Sequence, residues 1–273
     1  MVNALCIDVD DLCYTYLEIG LPLTRIEYNL EKELNAVLND LSDYNTKATF
    51  YISGSTLKYS AKLILECSDA GHEIASHGIT HVYPHKLGKD RFLKEIIESK
   101  KRLQDLTGKQ IRIFKAPIWG ITKRSIWVCD ALLTAGFKID NSVLPLNKKA
   151  FQVKPAENRP FYYKDSLCLI PPTSFSCLKQ TIPFAGGLFN AYYPYTIQKR
   201  IINNINKKSI PVNYCFHPFE YEPNGQNRKI IKYRNWLVST VSLHNGIYKK
   251  HLKKLMNDFT WAPLSFAYKK YVK

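Results

Sequence analysis

The stretch KATFYISGSTLKYSAKLILECSDAGHEIASHGITH, residues 47–81, decides how the rest of the chain is read. Residues 47–54 are β-branched and aromatic up to Gly54, the pattern of a buried strand. Residues 56–71 then show helical spacing and close on Gly71, a residue suited to the position just past a helix C-terminus. Residues 72–76 read as a second strand, and the polar HGITH (77–81) follows at once. Strand, helix and strand in such a short span form a parallel unit, with the polar loop at the C-terminal end of the second strand.

The same alternation runs outward on both sides. ALCIDV (4–9) is an apolar run that ends in carboxylates. EYNLEKELNAVLNDLSDY (27–44) places Leu30, Leu34, Val37, Leu38 and Leu41 at helical spacing. KDRFLKEIIESKKRLQDLTG (89–108) is an amphipathic helix with Phe92, Ile96, Leu103 and Leu106 inward. IRIFKAP (111–117) is a strand stopped by Pro117, TKRSIWVCDALLTAG (122–136) a helix capped by Thr122, and FKID (137–140) a strand. This order predicts parallel βα units closed as a barrel or wound as a sheet. From 141 to 210 the pattern weakens, which predicts a loop-rich insertion with a few strands rather than a second domain. IPVNYCFHPFEY (210–221) reads as another buried strand. Helices are expected around 230–241 and 243–258, in a helical tail over about 230–273. The whole chain, 1–273, reads as a single domain.

Bulk composition narrows the class. The 273 residues are 45% hydrophobic and 23% charged, enough to bury a large core without disulfides. The seven cysteines lie singly in apolar runs without CxxC spacing, as reduced, buried thiols do. A formal charge of +16 favours an anionic partner, although a lysine-rich proteome would give the same sum. No recognition-helix or zinc-finger pattern accompanies that charge, so nucleic acid is not expected as a partner. No basic-then-apolar leader is visible and no apolar run reaches membrane-spanning length. The expectation is a cytoplasmic protein, with peripheral contact to an anionic membrane face allowed by the charge.

Polar motifs gather just after strands: DVDD, SHGITH, KAPIWG and DNS. In βα barrels, chemistry collects at that end of the strands. Asp8, Asp10 and Asp11 follow the first strand, His77 and His81 the third, and His217 a late one. One carboxylate and two imidazoles suit zinc and similar borderline metals, with a position left for water. Residues two apart on a strand share a face, so Asp8 and Asp10 can act together. His85, one turn beyond His81, is expected at the surface.

Together these motifs resemble the polysaccharide deacetylase family (NodB homology, carbohydrate esterase family 4), nearest its branch in exopolysaccharide loci with exosortase systems. The resemblance rests on IDVDD, ATFYISG, GHEIASHGITHVYP, FKAPIWGITKRSIWVCDALLTAGFKIDNSVLP, AGGLFNAYYPY and NYCFHPFEYEP, in that order. It implies a distorted (β/α)7 barrel and metal-dependent deacetylation of an N-acetylated sugar. It implies a divalent metal, zinc foremost, with cobalt, nickel or manganese as alternatives.

By resemblance, Asp8 is the base, Asp10, His77 and His81 hold the metal, and His217 is the acid. The alternative makes Asp10 the base and Asp11 the ligand. Lys115 stands where the family usually has an arginine that pairs with the base, and Asp140 stands in the place of the fourth-motif aspartate, as a partner for Lys115. Ile118 (through its backbone N–H), Trp119, Tyr192 and Tyr193 are the expected substrate contacts. With no export leader visible and a formal charge of +16, the expected substrate is a lipid- or nucleotide-linked glycan intermediate of surface polysaccharide synthesis. Two rivals stand beside it: a deformylase of a lipid-linked amino sugar, and a degenerate member that binds glycan without turnover, suggested by Lys115.

Overall fold

A computed structural model describes residues 1–10, 30–143, 158–177, 180–184, 193–222 and 247–272. The first strands are β1 (Val2–Val9), β2 (Thr49–Ile52), β3 (Glu73–Ser76), β4 (Ile113–Phe114) and β5 (Ile139–Asp140). Then come β6 (Phe161–Tyr163), β7 (Leu167–Leu169), β8 (Ser174–Cys177), β9 (Gln180–Pro183), β10 (Asn213–Phe216) and β11 (Thr260–Ala262). Strands β10, β1, β2, β3, β4, β5 and β7 lie side by side in that order, all parallel. β6 adds an antiparallel edge to β7, and β8 pairs only with β9 among the described strands.

The sheet is curled. Ala4, Cys6, Tyr51, Ala75, Ile113, Ile139, Cys168 and Cys215, drawn from all seven parallel strands, pack together in one interior cluster. A flat sheet would hold β7 and β10 too far apart for that, at about 4.8 Å per strand. The two ends are joined by hydrogen bonds rather than by a ladder. Asn213 N–H donates to Thr173 Oγ1 at 2.8 Å, and Asn213 Nδ2 donates to the Pro171 carbonyl at 3.2 Å. This is the distorted barrel that the resemblance implies.

The outward residues of the same strands, among them Leu5, Ile7, Phe50, Ile74, Phe114 and Phe216, pack under a ring of helices. Helix Leu30–Asp43 contributes Leu34, Val37 and Leu41, and helix Lys89–Thr107 contributes Phe92, Ile96 and Leu103. Each such side chain contributes at most about 1.5–3 kcal/mol when fully buried. β1 is buried from Asn3 to Val9, as an almost unbroken apolar run requires when both faces are covered.

Three expectations change. The helix over 56–71 is two, Gly54–Tyr59 and Ala61–Asp69, broken at Ser60, whose N–H caps onto the Thr56 carbonyl. The span 141–210 is less an insertion than a continuation: β7 extends the main sheet, and Tyr195–Asn206 is a full helix burying Ile201, Ile202 and Ile205. Strands of three or four residues are too short for their period to show in sequence. The tail is not all helical: after helix Ile247–Asp258, β11 pairs with the start of β1. The helix expected around 230–241 lies outside the described residues.

Candidate active site at the carboxyl ends of the strands

Strand alternation builds the site. On β1, Ala4 and Cys6 face the interior, so Asp8 and then Asp10 continue the same line toward the mouth. On β4 Ile113 is interior, and Lys115 follows two residues on. On β10 Cys215 is interior and His217 follows. On β3 Ala75 is interior and His77 follows. Four strands therefore deliver Asp8, Asp10, His77, Lys115 and His217 to one end of the packed interior.

Asp10 Oδ2 lies 3.3 Å from His77 Nε2 and 3.1 Å from His81 Nε2. One ligand atom from each of these three residues falls within 4.8 Å of the others. His77 Nδ1 is 2.7 Å from the Lys115 carbonyl. A carbonyl only accepts, so Nδ1 carries a hydrogen, and Nε2 is the nitrogen turned to Asp10. Both Asp10 oxygens and Asp8 Oδ1 are buried without a well-aligned hydrogen bond among the described residues. Burial would raise the Asp10 carboxyl, but His77 and His81 hold it well below the usual carboxylate range. An ionised carboxylate with unsatisfied oxygens beside two imidazole nitrogens fits a divalent borderline metal. Asp11 lies outside the described residues.

Asp8 has a different environment. Its Oδ2 accepts from Lys115 Nζ at 2.5 Å, and both side chains are buried. Burial pushes the Asp8 carboxyl up, yet Lys115 foremost, with His77 and His217, lowers it below its ordinary value. Lys115 Nζ also donates to Cys215 Sγ at 2.9 Å and lies 5.2 Å from the Tyr51 ring centre and 5.0 Å from that of Trp119. Burial raises the Cys215 thiol well above its usual value, so the sulfur stays neutral and can accept. A thiol and two aromatic faces thus surround an ammonium in the place of a guanidinium.

His217 ends β10. Its Nε2 is 3.7 Å from Asp8 Oδ2 and 4.0 Å from Asp10 Oδ2, while Nδ1 lies 3.3 Å from Glu220 Oε2. Burial works against the imidazolium, but Glu220 first, then Asp8 and Asp10, raise its pKa.

The loop carrying the histidines is tightly held. Gly78 sits at φ +82°, a conformation that favours glycine. A Cβ on Gly54 would stand 2.6 Å from the Ile79 carbonyl oxygen, so only glycine lets the loop approach. Ser76 Oγ meets Ser99 Oγ at 2.8 Å and accepts from Gly78 N–H at 3.2 Å. Thr80 Oγ1 donates to Glu95 Oε2 at 2.6 Å. Across the mouth, Thr56 Oγ1 donates to the Val9 carbonyl at 2.5 Å, between the two aspartates.

Several assignments change. Asp140 is buried but has no ion pair with Lys115 among the described residues: it accepts from the Ser142 hydroxyl and, at 3.0 Å, from Ser142 N–H. Ile139 takes the interior face, so its neighbour Asp140 points the other way, toward the helical layer. Ser142 Oγ in turn accepts from Ala116 N–H at 2.7 Å, so Asp140 braces the turn Pro117–Trp119. Ile118 lies in that turn, and Trp119 adopts φ +47° there, a strained conformation of the kind that clusters at functional sites. Tyr193 packs against Phe175 and Phe184 and donates to the Pro183 carbonyl at 3.2 Å, a packing position where a substrate contact was expected. Tyr192 lies outside the described residues. His85 lies beside the Tyr83 ring, tilted 41° from it, and takes no part in the Asp10–His77–His81 group.

Sequence reasoning passed over Cys215, Glu95, Thr56 and Glu220. For Glu220 alone a signal was legible: HPFE places a glutamate three residues after a helix-starting residue, the spacing of a capping box.

Residues 27–136 match the family described as Polysaccharide deacetylase, and residues 141–269 match a domain of unknown function (DUF3473). A peptidoglycan deacetylase of Helicobacter pylori is 29% identical over 101 residues, 37% of this chain and 33% of that protein. A peptidoglycan-N-acetylglucosamine deacetylase of Bacillus cereus is 22% identical over 103 residues, 38% of each chain. The matched segments thus span little more than a third of these relatives. A crystal structure assigned as a polysaccharide deacetylase from Mycobacterium smegmatis superposes with a TM-score of 0.64 at 16% identity, over 98% of this chain and 88% of that one, and shares the fold. The residues that match the polysaccharide deacetylase family, 27–136, contain the histidine loop, and the fold shared with the Mycobacterium smegmatis structure extends to the strands that face it.

Proposed function

We propose that the protein is a metal-dependent hydrolase that removes the N-acetyl group from an amino sugar of a glycan. One observation carries the reading: the Asp10, His77 and His81 donors converge beside an ionised, lysine-paired Asp8, with His217 opposite. Asp10, His77 and His81 would hold the ion, with zinc as the first expectation from the mixed oxygen and nitrogen donors. When bound, the ion supplies Lewis acidity toward the acyl oxygen and a lowered pKa for water.

The chain's own groups supply the rest. Asp8 accepts the proton of the attacking water, and Lys115 keeps it ionised for that purpose. His217 gives a proton to the amine as the C–N bond breaks. Trp119, its indole nitrogen buried without a partner among the described residues, shields Lys115 on the side of the mouth.

The substrate extends the proposal. The +16 formal charge supports a phosphate-bearing, lipid- or nucleotide-linked intermediate of surface or exopolysaccharide synthesis, handled in the cytoplasm or at the inner membrane face. No helix among the described residues is long and apolar enough to cross a membrane.

The test is metal binding followed by acetate release from an N-acetylglucosamine oligomer. The full chain should bind about one divalent ion, and His77→Ala should weaken that binding beyond the roughly 10- to 100-fold loss seen when outer-shell partners are removed. Acetate release should fall with it. Full-strength ion binding and activity in the His77→Ala protein would reject the proposal, and release of formate from a formylated sugar in place of acetate would change the acyl group.

A further inference from the structure

We propose that the closed end of the barrel, opposite the mouth, is a docking face for an anionic lipid surface. The inference goes beyond the deacylase reading by naming the end of the molecule that meets a membrane, and it does not depend on the chemistry at the mouth.

Topology gathers the charge there. The seven parallel strands all begin at this end. Arg112 immediately precedes β4 and Lys138 immediately precedes β5, and both are exposed. The Lys138 N–H donates to the Arg112 carbonyl at 2.8 Å, which sets the two side by side. Lys100 reaches the same edge, where its Nζ donates to the Ala135 and Gly136 carbonyls at 2.9 and 2.8 Å. Burial first, then Lys138 and Arg112, lower the Lys100 ammonium, as crowded like charges do. Lys207 and Lys208 follow helix Tyr195–Asn206, exposed in the turn that leads back to β10.

The segment 263–272 plugs this end. Leu264 and Tyr268 pack into the interior cluster with Ala4 and Cys6. Tyr268 Oη donates to the Pro211 carbonyl at 2.8 Å, and Tyr162 Oη donates to the Tyr271 carbonyl at 2.7 Å. The plug turns Phe266, Lys269 and Lys270 outward. Phe266 is 51% exposed, with Lys269 Nζ 4.6 Å from its ring centre. Among the described residues, Arg112, Lys138, Lys207, Lys208, Lys269 and Lys270 form no ion pair with a carboxylate. Asp43, Asp69, Glu73 and Asp165 also lie at this end, but Lys47, Lys100 and Lys109 offset all but one of them. The six cations therefore remain largely uncompensated.

Cations spread over one face, with an aromatic ring among them, suit the phosphates and headgroup layer of an anionic bilayer. Nucleic acid would call for a helix or strand pair presented to a groove, or for several rings to stack on. This end offers loop ends, the four-residue helix Leu264–Ala267 and the ring of Phe266. β1 alone is 8 residues long, about 26 Å of strand, so the mouth would face away from the bilayer toward sugars that stand clear of the headgroups.

The test is co-sedimentation of the full chain with vesicles of phosphatidylcholine, alone or with about 30% phosphatidylglycerol, at about 0.1 M salt. Binding should need the anionic lipid and fall as salt is raised. Lys269→Glu with Lys270→Glu should weaken it at least about tenfold, since each cation near such a surface contributes roughly a fivefold factor. Arg112→Glu with Lys138→Glu should do the same from separate elements, and decides the matter if the first pair fails to fold. Lys32→Glu with Lys62→Glu changes the net charge equally, at helix starts on the mouth end, and should stay within about threefold. Hydrogen exchange should slow in 263–272 on the vesicles and stay unchanged in 77–81. Equal losses from the closed-end and mouth-end reversals would reduce the effect to net charge and overturn the proposal. So would equal binding to neutral vesicles, or no binding to either. Capture of a single-stranded oligonucleotide with none of the anionic vesicle would assign the face to nucleic acid and overturn it too. Acetate release enters none of these readouts, so failure of the deacylase reading would leave this test intact, and the reverse holds.

Discussion

Lys115 is the residue on which the site balances. It is 1% exposed and its charge is matched by Asp8. A buried pair gains little net stability when intact, but removing one partner leaves the other charged, buried and unpaired. Lys115→Met keeps most of the volume and removes the charge. It should destabilise the fold by about 3–5 kcal/mol, measured by chemical denaturation near neutral pH. The loss should shrink in acid, where Asp8 can take a proton and stop being an unpaired anion. A stability unchanged from wild type would mean that the pair does not hold Asp8. The lysine also explains why its neighbourhood differs from one built for arginine. An ammonium has no planar fork to satisfy, so one carboxylate oxygen, one thiol and two ring faces suffice.

At the level of elements, the decisive feature is how the 77–81 loop is clamped between two helices. The N-terminal end of Gly54–Tyr59 lies against Ile79, and Glu95 of Lys89–Thr107 takes both the N–H and the hydroxyl of Thr80. Gly54→Ala puts a methyl carbon into the Ile79 backbone, which cannot swing aside as a side chain could. Overpacking of this kind costs about 1–3 kcal/mol. Because the displaced backbone lies between His77 and His81, divalent-ion affinity should fall along with thermal stability. Calorimetric titration with zinc checks the first and a melting curve the second. A stability loss with unchanged ion affinity would show that the clamp does not set the imidazole positions.

Over the whole molecule, two buried groups set opposing pH trends. His72 accepts from Ala48 N–H, and burial, aided by Lys47, lowers its pKa from 6.5 to about 4. The neutral ring's contribution is therefore complete above pH 6.5 and is lost as pH falls toward 4. Asp140 runs the other way. Burial raises it from 3.8 to about 7 against the opposing pull of Ser142 and Lys115, so its contribution is complete below pH 3.8 and is lost as pH rises through 7. Between about pH 4 and 6.5 the two slopes offset each other. Replacing the histidine, as in His72→Gln, should uncover the Asp140 trend: denaturation at a series of pH values should show stability falling with pH, by at most about 1.4 kcal/mol per unit. A Gln variant with the wild-type profile would contradict the pairing of these two groups.

The sequence by itself determined the parallel βα order, the strand ends where polar residues gather, and the His77–His81 pair, because period, glycine stops and two-residue alternation are local properties. It also offered Asp8 and Asp10 as residues of one face, since that too follows from the pleat. Tertiary structure decided the rest. Only the long-range parallel pairing of β10 with β1 sets His217 opposite the aspartates. Only register and strand parity turn Asp140 away from Lys115, and give Lys115 to Asp8 and Cys215. β7 and β11 were hidden for the same reason: a three-residue strand carries too little pattern to announce itself and exists because a neighbouring strand supplies its hydrogen bonds.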